Sequence, residues 1–213
     1  MRAVIFTGGD FFPDRLNGSY RPSDGDLVIA ADAGLRACRA MGIVPDLLLG
    51  DFDSLGEPPA DLPAGVGILR VPAEKDDTDT QLAASVAVER GATEVLIFGG
   101  FGGRPDHTLA NLAVLEDLAR RGLSALLDSG RARARFLIHG RVEIPREDRF
   151  RYLSLLPAGT RSTGVSLSGV KYPLTNATLY RRRAGFSVSN EITAPSAALS
   201  LRSGPLWILE TGD

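Results

Sequence analysis

Two aspartates one residue apart, Asp51-Phe52-Asp53, directly follow the apolar run Leu47-Leu48-Leu49-Gly50. In extended backbone, residues two apart face the same way, so both carboxylates can be presented to one point. That point lies beyond the end of a strand, where open α/β sheets bind ligands. Carboxylates gathered there repel unless a cation joins them, and hard oxygen ligands that leave room for water and phosphate favour magnesium. The bland reading of the same pair is two turn aspartates that cap the next segment. A second acidic cluster is Lys75-Asp76-Asp77-Thr78-Asp79-Thr80-Gln81. Thr78 and Gln81 fit a capping box, which places Asp79 in a first helical turn. An aspartate there complements the helix dipole, yet three acids in four residues beside a lysine exceed what a cap requires. Asp79 is therefore expected at the metal, and Lys75 at a phosphate or a neighbouring carboxylate.

The third cluster is Gly99-Gly100-Phe101-Gly102-Gly103-Arg104-Pro105-Asp106-His107, directly after the strand-like Val95-Leu96-Ile97-Phe98. Glycines between a strand and a helix let backbone N–H groups close on an anion. No Gly-Lys-Ser/Thr follows, so this is not a Walker loop. Pro105 stands where the third glycine of a dinucleotide fingerprint belongs. Arg104 offers a phosphate-matching fork, and His107 a proton carrier or polar contact, although a lone histidine can equally cap a helix or fill a gap. Acids for a divalent cation, an anion loop and an arginine together describe phosphoryl-type transfer from a nucleotide, chemistry that depends on positioning and charge neutralisation. They specify the donor and the metal and leave the acceptor open.

These clusters need elements to hold them. Met1–Thr7, Asp26–Ala31, Asp46–Gly50, Gly67–Val71, Glu94–Phe98 and Ser124–Leu127 read as buried strands. Gly34–Met41, Thr78–Arg90 and Thr108–Arg121 carry apolar residues at helical spacing, each followed by a glycine suited to ending a helix. This alternation predicts an α/β unit with a mostly parallel, Rossmann-like three-layer sheet. After Asp128 the texture becomes short runs punctuated by Gly, Pro, Asn and Ser, among them Ala134–Ile138, Arg151–Leu156, Phe186–Val188 and Leu206–Leu209. The expectation is an all-β sandwich over 130–213 behind an α/β domain over 1–129. Trp207, flanked by apolar residues, is expected in the core, and Arg181-Arg182-Arg183 at a solvated hairpin tip.

Composition narrows the class further. The 213 residues carry 24 basic and 26 acidic groups, a net charge of −2, which gives no global attraction to nucleic acid or anionic lipid. Residues 1–100 hold 8 basic and 16 acidic groups, and residues 101–213 hold 16 and 10, so the acidity is concentrated in the half that holds the acids expected at the metal. The single cysteine, Cys38, excludes an internal disulfide and a cysteine-based zinc site. No apolar run approaches the roughly 20 residues of a membrane span, and the N-terminus opens as a strand rather than a signal peptide. A soluble, cytoplasmic protein is expected.

Six motifs occur in an order that closely resembles thiamin pyrophosphokinase: Ala31-Asp32-Ala33-Gly34, Gly50-Asp51-Phe52-Asp53-Ser54, Lys75-Asp76-Asp77-Thr78-Asp79, Gly102-Gly103-Arg104-Pro105-Asp106-His107, Gly169-Val170-Lys171-Tyr172-Pro173-Leu174 and Ser189-Asn190-Glu191. The likeness runs from Gly8-Gly9 to the last strand. It implies transfer of a pyrophosphoryl group from ATP to the hydroxyethyl group of thiamin, with magnesium, in a homodimer with sites between subunits. By motif, the resemblance assigns Asp51, Asp53 and Asp79 to metal and phosphate handling. It places Gly8, Gly9, Asp32, Lys75, Gly103, Arg104, Asp106 and His107 beside the nucleotide, and Ser189 and Asn190 on thiamin from the partner subunit. Transfer to another hydroxymethyl heterocycle such as a pterin, or a non-catalytic thiamin or nucleotide sensor, are the alternatives. Ala33 departs from the family's usual glycine, a change that strains the backbone only if that position needs positive φ.

Overall fold

The computed structural model describes residues 1–16, 21–51, 62–72, 74 and 76–212. Asp53 and Lys75 lie outside the described residues. The chain divides into two compact units, Met1–Gly130 and Arg131–Asp213.

In the first unit, β1 (Arg2–Phe6), β2 (Leu27–Ala31), β3 (Leu47–Gly50), β4 (Gly67–Arg70), β5 (Glu94–Phe98) and β6 (Ser124–Asp128) pair in the order β4-β3-β2-β1-β5-β6. Every pair in this series is parallel. Val4, Phe6, Val28, Ala30, Leu48, Leu96 and Phe98 form one buried cluster with Leu35 and Cys38. The alternate residues Ala3, Ile5, Ile29, Leu49, Val95 and Ile97 are just as buried, so both faces of the central strands are covered. Burial pushes the Cys38 thiol up to about 12, which leaves it a small hydrophobe and no nucleophile. The one departure is β4. Its sequence reads as a buried strand, but all four residues are exposed at the edge of the sheet, Ile68 by 50%. An apolar run alone does not distinguish a central strand from an edge.

Helices α1 (Gly34–Ala40), α2 (Asp79–Glu89) and α3 (Pro105–Arg120) follow β2, β4 and β5. The Thr78 hydroxyl accepts a bond from the Gln81 N–H at 3.2 Å, the cap that the sequence foretells. Gly91 and Gly122 take φ of +86° and +81° just past α2 and α3, the left-handed residue that ends each helix. Helix α3 begins at Pro105, three residues earlier than its apolar pattern suggests, because proline suits the first helical position and its missing N–H costs nothing there.

The second unit holds two antiparallel sheets. One contains β7 (Ala132–Leu137), β13 (Leu206–Thr211) and β9 (Tyr152–Pro157), and the other β11 (Leu174–Tyr180), β10 (Arg161–Ser168), β12 (Ser196–Leu201) and β8 (Gly140–Pro145). Leu153, Leu155, Leu206 and Ile208 of the first share one buried cluster with Ile144, Val165, Leu167, Leu179 and Leu199 of the second. Two expectations change here. Phe186–Val188 is no strand, because Arg181–Ser187 forms 3₁₀ turns in which Arg181, Arg182 and Arg183 are exposed. Trp207 is only half-buried, on the face of β13 opposite Leu206 and Ile208, with its ring edge-on to Phe136 at 4.4 Å. In a strand, residue parity decides the face, whatever the hydrophobicity of the neighbours.

An ion network lies within this unit. Arg133 is 1% exposed, pairs with Glu147 at 2.6 Å, and stands opposite Glu210 of β13. Arg149 meets Glu147 at 2.7 Å, and Arg135 meets Glu210 at 2.9 Å. Burial pushes the Glu147 carboxyl up, but Arg133 and Arg149 outweigh it and hold it below its ordinary value. Its contribution to stability is therefore present above that ordinary value, near 4.5, and is lost as pH falls through the depressed one. Glu147→Gln is expected to lower stability at neutral pH by about 1–3 kcal/mol, less than for a fully enclosed pair because Glu147 keeps a solvent-facing edge. In chemical denaturation the gap between wild type and variant should narrow as pH falls below the ordinary carboxyl value.

Candidate active site

One cavity of about 440 Å³ opens where the parallel strands end. Its walls come from Thr7 to Asp10 after β1, Ala31 to Ala33 at the end of β2, Asp51 after β3, Gly99 to Arg104 after β5, the first turn of α2, and His107, Thr108 and Asn111 of α3. This is the carboxyl edge of the parallel strands, where open α/β sheets leave room for a ligand. The volume lies within the range of small-molecule and cofactor sites.

The turns after β1 and β5 touch backbone to backbone. The Gly9 N–H donates to the Gly99 carbonyl at 2.8 Å, and the Asp10 N–H to the Phe101 carbonyl at 2.6 Å. A Cβ on Gly9 would stand 2.2 Å from both of those carbonyl oxygens, so no other residue fits. Gly34 is equally constrained, since a Cβ there would meet the Phe6 oxygen at 1.9 Å, which brings the start of α1 against the end of β1. Ala33 has φ −59°, so alanine in place of glycine costs no backbone strain. The strained residue is its neighbour. Asp32 sits at φ +44°, and its buried Oδ1 has no hydrogen-bond partner.

Among the described residues, four carboxylates, Asp10, Asp32, Asp51 and Asp79, line the cavity together with Arg104 and His107. Among the described residues no group of three His, Cys, Asp or Glu side chains is arranged to hold a metal ion. Asp53 is not part of that comparison. The donor set nonetheless suits a hard cation, because a buried, unpartnered carboxylate oxygen among further acids is the chemistry that magnesium satisfies. Of the residues expected beside a nucleotide, Gly8, Gly9, Asp32, Gly103, Arg104 and His107 all line this cavity. Asp106 does not. Its carboxylate grips Arg104 through two bonds, at 2.6 and 3.3 Å, and that guanidinium holds the Asp106 carboxyl below its ordinary value.

Ser189 and Asn190 belong to the second unit. There a cavity of about 400 Å³ is lined by leucines, Tyr172, Pro173, Phe186, Val188 and Asn190. Asn190 Oδ1 accepts from the Tyr172 N–H at 3.0 Å and the Glu191 N–H at 2.9 Å, and its Nδ2 donates to the Tyr172 carbonyl at 2.8 Å. The amide is thus engaged in shaping the 171–173 segment. Ser189, at φ +57°, does not line this cavity, and its N–H donates to Ser154 Oγ at 3.1 Å. Glu191 pairs with Lys171 at 2.9 Å, a partner that spacing alone does not reveal. Sequence reading also missed Asp10 and Asn111. The legible signal for Asn111 was one polar residue in the helical stripe 111, 114, 115 and 118 that α3 buries.

Comparison with known proteins places these features. The crystal structure of thiamine pyrophosphokinase from Bacillus subtilis superposes with a TM-score of 0.87 at 27% identity, covering all of both chains. That of thiamin pyrophosphokinase from Geobacillus thermodenitrificans gives 0.83 at 28%, over 100% of this chain and 98% of that one. In sequence, the Bacillus subtilis (strain 168) thiamine pyrophosphokinase is 30% identical over 189 residues, 88% of each chain. These relatives define a class, transferases of the kinase type. Residues 22–127 match the model of the thiamin pyrophosphokinase catalytic domain, and residues 140–206 that of the thiamin pyrophosphokinase vitamin B1 binding domain. The chain belongs to the thiamin pyrophosphokinase family.

Asp32 combines a left-handed backbone with an unpaired buried oxygen, two features that cost stability and persist where function uses them. Asp32→Gly should therefore raise the unfolding free energy by about 1 kcal/mol while lowering turnover. Calorimetry and a product assay on the same preparation check both halves of that expectation.

Proposed function

We propose that this chain transfers a pyrophosphoryl group from ATP to the hydroxyethyl group of thiamin, giving thiamin diphosphate and AMP. The observation that carries the reading is one cavity lined both by acids from several strand ends and by a glycine turn and the start of α3. The thiamin oxygen bonds to the β-phosphorus as the bond to the α-phosphate oxygen breaks, and AMP leaves with that oxygen. The proposed donor subsite consists of Gly8, Gly9, Asp32, Lys75, Gly103, Arg104 and His107. Its backbone N–H groups and the N-terminus of α3 draw in phosphate oxygens. Arg104 meets the polyphosphate as a planar fork, with Asp106 orienting it from outside the cavity.

Asp51, Asp53 and Asp79 are the proposed magnesium ligands. When bound, the ion would offset the charge that ATP brings into a cavity already lined by four carboxylates. The alcohol needs little help from a strong base, because phosphoryl-type transition states are loose. On this reading the first unit is a Rossmann-like three-layer ATP-binding domain, and the second is a sandwich that binds thiamin and forms the dimer. The acceptor is held by the segment containing Ser189 and Asn190, contributed by a second copy of the chain. Supporting that assignment, Tyr172 and Phe186 stand 61% and 70% exposed at the apolar cavity, more open aromatic surface than a solitary molecule needs to leave. No described helix is long and apolar enough to cross a membrane, and the proposed location is the cytoplasm.

With ATP, thiamin and magnesium, the purified protein should form AMP and thiamin diphosphate in equal amounts, measured by chromatography. Thiamin-dependent ADP would overturn the transfer mode. EDTA should stop the reaction and added magnesium restore it. Asp51→Asn should slow it by about 100-fold or more without loss of the cooperative unfolding transition.

A further inference from the structure

Three consecutive carbonyls of the turn after β5 are held by donors outside the turn. The Gly99 oxygen accepts from the Gly9 N–H at 2.8 Å and the Thr7 hydroxyl at 3.2 Å. The Phe101 oxygen accepts from the Asp10 N–H at 2.6 Å. The Gly100 oxygen accepts from Asn111 Nδ2 at 2.8 Å, in a buried bond that reaches across eleven residues. Backbone groups serve Gly99 and Phe101, whereas the bond to Gly100 comes from a side chain. A carbonyl can only accept, so the amide nitrogen of Asn111 must face it.

Asn111 is otherwise badly placed. It is a poor helix former inside α3, 6% exposed, at the helical position where Val114, Leu115 and Leu118 continue an apolar face. Its contribution therefore lies in what the amide holds. A Cβ on Gly100 would meet Leu127 at 2.0 Å, so the turn is pressed against β6. A carbonyl oxygen swung into the cavity would set the negative end of a dipole against an anionic ligand, where the same turn otherwise offers N–H groups.

We infer that Asn111 is a positioning residue for the anion-binding turn: by holding the Gly100 carbonyl, it keeps that oxygen off the polyphosphate and sets the affinity for the nucleotide. The inference deepens the proposed function and rests on its assignment of this cavity to ATP. Asn111→Leu keeps the side chain's approximate size and removes the donor. It should raise the Michaelis constant for ATP about tenfold, equivalent to about 1.4 kcal/mol. The Michaelis constant for thiamin should stay within about twofold. Asn111→Asp, which sets an oxygen and a charge against the carbonyl, should weaken ATP more than Asn111→Leu does.

A merely structural role would lower the unfolding temperature and the active fraction but leave the ATP constant of the folded molecules unchanged. That result, or a parallel change in both constants, overturns the inference. If Asn111→Leu does not fold, Asn111→Ser decides by the same criterion, with a smaller shift confined to ATP. Calorimetric binding of a non-hydrolysable ATP analogue with magnesium and no thiamin separates the two readings. Weaker binding by the variants supports the positioning role even if wild type makes no thiamin diphosphate. Wild-type activity combined with unchanged analogue binding by the variants overturns the positioning role alone.

Discussion

Backbone meets backbone where β1 and β5 end, and the cavity depends on that contact. Two N–H···O bonds, from Gly9 to Gly99 and from Asp10 to Phe101, join the turns. They form only because position 9 carries no side chain, since a Cβ would stand 2.2 Å from two carbonyl oxygens. Close approach of the turns brings their carbonyls under control of donors from β1 and α3. The glycine turn and the acids at the ends of β2 and β3 line one cavity. The local chemistry is thus a consequence of crowding at one edge of a parallel sheet.

Electrostatics then defines what the crowded edge can hold. Four carboxylates with one guanidinium and one imidazole would reject a polyphosphate on charge alone. On the proposed reading, acceptance requires a cation and donors fixed in advance, a part that the N-terminus of α3 and the glycine turn would play at low reorganisation cost. Arg104, tied to Asp106 at the surface, keeps its fork in one plane. The unpartnered Oδ1 of Asp32 is the same principle seen in reverse, a polar atom left unsatisfied in the protein alone and suited to a ligand.

The second unit solves a different problem. Some 80 residues form a limited core, and its two sheets share one apolar cluster. Arg133, nearly fully enclosed, is compensated by Glu147 and by the strand partner Glu210. An arginine buried there without those carboxylates would carry a desolvation cost that the small core could not offset. Asn190 spends its amide on the Tyr172 backbone, which shapes a cavity that Lys171 also lines.

Much was legible in the order of residues. Strand runs ending in Asp51 or Gly99, the Thr78 cap and the glycines after α2 and α3 are local events, decided by propensity and by the chemistry of adjacent residues. The six motifs likewise carried the family resemblance. Tertiary structure alone decided which side of a strand or helix each residue serves. It put β4 at an exposed edge, turned Trp207 away from the core, withdrew Asp106 from the cavity and brought Asn111 to the Gly100 carbonyl. The reason is that periodicity states how often a side chain faces one way, whereas its partner is a group far along the chain that only packing brings within reach.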